Sequence, residues 1–244
     1  MPAQYDAIGD SYVKTMAIDR LEAHSMARVV GRVDGQNCLD LATGHGRGAR
    51  LLVDQGAAHV VGTDVSEKMI QRAKETHKDD SRLEFRVDDG GKVKEVEGGP
   101  FDLVTSIWLL NYAASPAELQ AMFENMRVNL KPGGRVVALT NNVWINPADT
   151  MDRKYGAEVV SMERLENGGY KGRFRLLADS KNPYELECYN FMRDVYERAV
   201  ENAGLVDLEW RSYAIPDVDG LAEEFWDLYR LRPHFCILTA KKPA

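Results

Sequence analysis

The sequence predicts an α/β fold: a doubly wound, mostly parallel seven-stranded sheet with an inserted lid. Three observations carry that prediction. Short apolar runs alternate with amphipathic stretches from residue 37 to residue 140. A glycine-rich turn, Gly44-His45-Gly46-Arg47-Gly48, follows the first of those runs. The alternation then stops after Thr140 and returns only near the C-terminus. Alternating strand and helix signals with near-continuous apolar strands point to a parallel sheet covered on both faces.

Taken in order, Tyr5 to about Val30 reads as helix, with a break near Gly9. Residues 37–43 form the first strand, and 46–56 a helix stopped by Gly56. His59 to Asp64 is a short buried strand. Ser66 caps a helix that runs to about Lys78, with Glu67 in its first turn. Leu83 to Val87 and Phe101 to Trp108 are the third and fourth strands. Ser115-Pro116-Ala117-Glu118 is a capping box with proline at the first helical position, so a helix starts there and runs to Leu130. Lys131-Pro132-Gly133-Gly134 is a turn into a fifth strand, Arg135 to Thr140.

Beyond it, residues 141–169 read as irregular. Strands are expected at 170–177 and 184–191 around Asn182-Pro183, and a helix from Met192 to Ala203 ended by Gly204. Val206 to Ile215 and His234 to Ala240 are late strands that extend the sheet edge, with a short helix from Leu221 to Leu228 between them. The whole chain reads as one domain, with residues 1–30 as a helical cover and 141–190 as a lid over the ligand site.

The 244 residues carry a net charge of −7, which argues against nucleic acid as a partner because phosphate binding needs a basic face. No apolar run approaches the roughly 18 residues that span a bilayer, and the N-terminus has no basic, apolar leader. Cys38, Cys188 and Cys236 are widely spaced, with neither a CxxC pair nor a metal-type Cys/His cluster. None of this speaks against a small-molecule substrate, and a cytoplasmic location, no membrane and no metal are expected.

The glycine turn allows two ligands. Gly44-x-Gly46-x-x-Ala49, with Asp64 about 20 residues on, satisfies a dinucleotide fingerprint and so an NAD-dependent oxidoreductase. The other ligand is S-adenosylmethionine (SAM). Asp40, four positions before Gly44, would repel a pyrophosphate but suits the ammonium and sulfonium of SAM.

On these residues the sequence resembles the class I SAM-dependent methyltransferases, whose fold is Rossmann-like. Asp40-Leu41-Ala42-Thr43-Gly44-His45-Gly46 matches their first motif, with Ala42 in place of its first glycine; only a slightly tighter fit is expected from that change. VVGTDVSEKM, LEFRVDD, FDLVTSIWLLNY and LKPGGRVVAL match the next four in order. The resemblance implies that Asp64 takes the ribose hydroxyls and Asp89 the adenine amino group. Val65, Met69, Gly90, Ser106 and Ile107 complete the expected cofactor site with Asp40, Ala42, Gly44 and Gly46. Tyr5 and Tyr12, in YDAIGDSY, would reach the SAM carboxylate from the covering helix. WLLNY and the Phe225-Trp226 region are similar to the group of N-methyltransferases of toxoflavin biosynthesis, with a looser match through 141–190.

The implied reaction is methyl transfer, which depends mainly on alignment. Trp108, Asn111, Tyr112, Trp144 and Tyr170 are the expected acceptor-site residues, because aromatic walls suit a flat acceptor and a sulfonium. No catalytic residue stands out. His45 is the one candidate acid or base, His234 reads as structural, and the lack of paired carboxylates favours nitrogen methylation. A non-catalytic SAM-binding protein would carry the same motifs.

Overall fold

The computed structural model describes residues 16–150, 152–177, 184–216 and 222–244. Tyr5 and Tyr12, the start of the covering helix, Asn182-Pro183 and Leu221 lie outside them. In chain order the elements are α1 (Met16–Val30), β1 (Asn37–Leu41), α2 (Arg47–Asp54), β2 (His59–Asp64), α3 (Glu67–Thr76), β3 (Leu83–Val87), β4 (Phe101–Ile107), α4 (Pro116–Asn129) and β5 (Leu130–Asn141). Then follow β6 (Ala157–Arg164), β7 (Tyr170–Leu176), β8 (Tyr184–Asn190), α5 (Arg193–Asn202), β9 (Val206–Arg211), α6 (Asp227–Leu231) and β10 (Phe235–Lys241).

Seven strands form the main sheet in the order β3-β2-β1-β4-β5-β10-β9, and β10 runs antiparallel to both of its neighbours. The strand order reverses beside β1, where β2 lies on one side and β4 on the other. That reversal opens a crevice at the carboxyl ends of the strands. Successive strand residues feed opposite cores. Leu39, Val104, Val136 and Leu238 pack with α4 and α5, whereas Cys38, Leu103, Val137 and Ile237 pack with α1 and α2.

The predicted caps form as read. Ser66 Oγ accepts the Met69 N–H, and Ser115 Oγ accepts the Glu118 N–H. The Glu118 carboxylate reaches one residue further back than a capping box requires, to the Ala114 N–H at 2.9 Å. The turn at residues 131–134 is a break inside β5. The pairing with β4 shifts between Phe101 and Leu103, and Gly133 turns through φ +74° to bond Lys242 O.

Three expectations are corrected. Residues 141–169 are not wholly irregular, because 157–164 forms β6, which joins β7 and β8 in a separate antiparallel sheet. β6 lacks clean alternation because its register slips between Val159 and Ser161. β9 stops at Arg211 rather than Ile215, and the last helix is a tight turn at Glu223–Trp226 leading into α6.

Candidate functional site

Four loops meet at the crevice. The first leaves β1 through Ala42, which adopts φ +57°. This is a conformation that costs an L-residue about 1–2 kcal/mol. Replacing the motif's first glycine with alanine therefore strains the backbone rather than merely tightening the fit. Gly44 and Gly46 also take positive φ, and the space a Cβ on Gly44 would fill is empty. The loop thus presents backbone to the crevice with room for a ligand.

Asp40 lies under that loop, fully buried. Its two oxygens accept the Thr43 and Thr105 hydroxyls, both at 2.7 Å, and it accepts the Ala49 N–H at the start of α2. Burial pushes its carboxyl up to about 6 although those hydrogen bonds act the other way. Gly48 permits the close approach: a Cβ there would stand 2.5 Å from Asp40 Oδ2. Asp40 is therefore the brace of the loop as well as part of the cavity wall.

Asp64 ends β2 and ties two loops together. Its oxygens accept the Gly44 and Ser66 N–H groups, each at 2.9 Å. Val65 beside it is exposed, while Met69 is buried and lines the cavity. Asp89, after β3, is half-exposed and holds the Gly91 N–H at 3.0 Å. Gly90 packs against Leu109. Ser106 is buried near the end of β4 with its Oγ unpaired.

The fourth loop leaves β4 through Trp108, at φ +65°. A bulky side chain in that region is an outlier held by its surroundings. Its backbone N–H bonds Leu139 O at 3.2 Å, and its Nε1–H donates to Glu22 at 3.1 Å. The indole stacks on His234 with centroids 5.6 Å apart and planes 8° apart. Asn111 and Tyr112 follow. Asn111 is buried and donates to Cys188 Sγ of β8, while Tyr112 packs against both the main core and the small sheet.

Asp40, Ala42, Gly44, His45, Asp64, Met69, Ile107, Trp108 and Tyr112 thus converge on one narrow cavity of about 80 Å³, together with Thr43, Arg47 and Gly48. Trp144 and Tyr170 do not line it. Trp144 is half-exposed and packs edge-on to Trp210, on the α5 side of the sheet, whereas Trp108 belongs to the α1 side. Tyr170 opens β7 opposite Asn190. The three cysteines are buried and unpaired in disulfides, and burial pushes the Cys188 thiol up to about 11. Among the described residues no cluster could hold a metal, and no helix is long and apolar enough to cross a membrane.

Sequence reasoning missed Glu22 and the role of Arg47. Arg47 reaches Asp19 at 2.6 Å and Glu22 at 2.8 Å. Glu22 lies on the buried face of α1 with Leu21, Ser25 and Met26. An acid at such a position was the available signal, since unpaired carboxylates are almost never buried.

The donor set fits SAM. Two carboxylates, Asp40 and Asp64, stand at the glycine turn, and the guanidinium beside it is bound to two more. A cationic ligand is favoured there and a pyrophosphate is repelled. Comparison with known proteins agrees. Residues 38–134 match the family described as "Methyltransferase domain". This segment is similar to class I methyltransferase domains. Within the relatives, a demethylmenaquinone methyltransferase of Clavibacter sepedonicus is 34% identical over 140 residues, 55% of either chain. The chain therefore spans about half the length of that relative. A SAM-dependent methyltransferase from Mesorhizobium loti superposes with a TM-score of 0.65 at 21% identity, over 91% of this chain and 98% of the other. A phosphoethanolamine N-methyltransferase 2 of Haemonchus contortus, solved with SAM, gives 0.58 at 18%, over 93% and 53%. The match over residues 38–134 implies SAM as cofactor and favours it over the dinucleotide reading of the glycine turn.

Proposed function

We propose that this protein transfers a methyl group from SAM to a small, flat aromatic or heterocyclic acceptor, with a nitrogen as the methylated atom. The observation that carries this reading is the acid-braced glycine turn facing the aromatic pair Trp108 and Tyr112 across one cavity. The turn at Gly44 and Gly46 would hold the methionine end, Asp64 the ribose and Asp89 the adenine. SAM supplies a methyl carbon already activated by a positive sulfur. The chain has to exclude water and align the acceptor, which suits an amine or ring nitrogen needing little base assistance. His45 is the imidazole in the cavity wall and the candidate base if one is used.

The small sheet supports a lid. Its outer face carries charged rows such as Arg175 with Glu158 and Glu185, and its inner face carries Phe174, Leu186 and Cys188 over Tyr112. Acceptor choice would be made there. Buried free thiols suit a reducing, cytoplasmic setting, and the likeness to the toxoflavin group suits a biosynthetic role in secondary metabolism.

Calorimetric titration with S-adenosylhomocysteine tests the cofactor. Incubation with methyl-labelled SAM then tests heterocyclic amines, phenols and demethylmenaquinone, the acceptor named for the bacterial relative. Labelled N-methyl product is expected. Absence of S-adenosylhomocysteine binding, or label confined to oxygen or carbon, overturns the corresponding part.

A further inference from the structure

Glu22 belongs to none of the motifs, yet its carboxylate joins three elements. It bonds Arg47 at the start of α2 and Trp108 Nε1 after β4, and it lies 3.6 Å from His234 Nε2 at the start of β10. Only 5% of its side chain is exposed. Two of these partners, Arg47 and Trp108, line the cofactor cavity. One face of the indole stacks on His234, its Nε1 edge bonds Glu22, Phe235 packs edge-on at 6.5 Å, and the ring lines the cavity.

We propose that Glu22 is a positioning residue that holds and polarises the Trp108 indole so that the cavity prefers a cationic sulfonium over a neutral thioether. A carboxylate accepting the indole N–H pushes electron density into the ring, and a richer ring attracts a cation more strongly. The same bond keeps the ring in place against the left-handed backbone of Trp108. Burial pushes the Glu22 carboxyl up, but the neighbouring His234 and Arg47 more than offset this and hold it below the ordinary carboxylate range. The acceptor therefore stays ionised at neutral pH. This inference rests on the reading of the cavity as a SAM site.

The test is binding, not turnover. Calorimetry gives the affinity ratio of SAM to S-adenosylhomocysteine for the wild type, Glu22→Gln, Trp108→Phe and the double variant. Glutamine keeps an oxygen acceptor but removes the charge; phenylalanine keeps a ring but removes the N–H. Each single change is expected to move the ratio toward S-adenosylhomocysteine by about threefold to tenfold. In the Trp108→Phe background, Glu22→Gln is expected to add nothing. A general loss of packing would weaken both ligands alike, so an unchanged ratio, or fully additive shifts, overturns the proposal. If the wild type binds neither ligand, the SAM reading itself fails, which is a distinct result.

Discussion

β1 and β4 lie side by side in the sheet, and each leaves it through a non-glycine residue in the left-handed region, Ala42 at φ +57° and Trp108 at φ +65°. What holds the two turns is different. The turn after β1 is braced from below by other residues: Asp40 through Thr43 and Thr105, and Asp64 through Gly44. The turn after β4 is held by the side chain of the strained residue itself, through Glu22 and His234. Strain of the first kind lies in the backbone alone and glycine removes it. Strain of the second kind cannot be removed without losing the ring that the cavity uses.

The largest effect is expected at the strongest brace. Asp64→Ala removes a charged acceptor from two N–H groups, each bond being worth about 1.5–3 kcal/mol. Binding of S-adenosylhomocysteine is expected to weaken by at least about a hundredfold in calorimetry; wild-type affinity would falsify the assignment. Gly48→Ala comes next, because its Cβ would meet Asp40 Oδ2 at 2.5 Å. Overpacking of that kind should cost about 2–3 kcal/mol, read as a fall in melting temperature of roughly 4–12 °C. An unshifted melt means that Asp40 does not brace the loop.

Trp108→Gly acts on the second turn. It relieves about 1–3 kcal/mol of backbone strain but forfeits about 3–5 kcal/mol from the partly buried ring with its bond to Glu22 and its stack on His234. The net expectation is a loss of about 2 kcal/mol in denaturant melts, and a gain in stability would show that the ring holds nothing. Asp40→Asn tests the charge. The folded carboxyl is raised to about 6 from an ordinary value near 4. The folded state therefore holds this proton more tightly, and the stability it gives is full below about pH 4 and lost as pH rises through about 6. Asparagine has no such proton to lose. The variant should flatten the pH dependence of stability over that range, by on the order of 3 kcal/mol; parallel curves would exclude a raised Asp40. The smallest effect is Ala42→Gly. Relief of about 1–2 kcal/mol against about 0.5–1 kcal/mol of glycine entropy leaves a gain of about 0.5–1 kcal/mol. A lower melting temperature would count against strain at Ala42.

Much of the site was legible because its signals are local. A serine cap, a glycine turn and an acid at a strand end each constrain their neighbours by a few bonds: Ser66 and Ser115 cap their helices as read, Gly46 turns the chain into α2, and Asp64 bonds Gly44. The parallel strands were legible for a related reason: burial on both faces leaves continuous apolar runs. β6 was not, because its residues become a strand only by pairing with β7 across a slipped register. Glu22 was not singled out, because its partners stand 25 and 86 positions away in the chain.

The fold class, the succession of the five parallel strands along the chain and the position of the glycine turn follow from the sequence, since hydrophobic period and cap chemistry act within a few residues. Only the tertiary structure decided that Ala42 and Trp108 sit in left-handed turns and that Asp40 braces α2. It also brought Glu22 to Trp108. These are long-range approaches, set by which strands pair and by how closely α1 and α2 press on them, and no stretch of chain records them by itself.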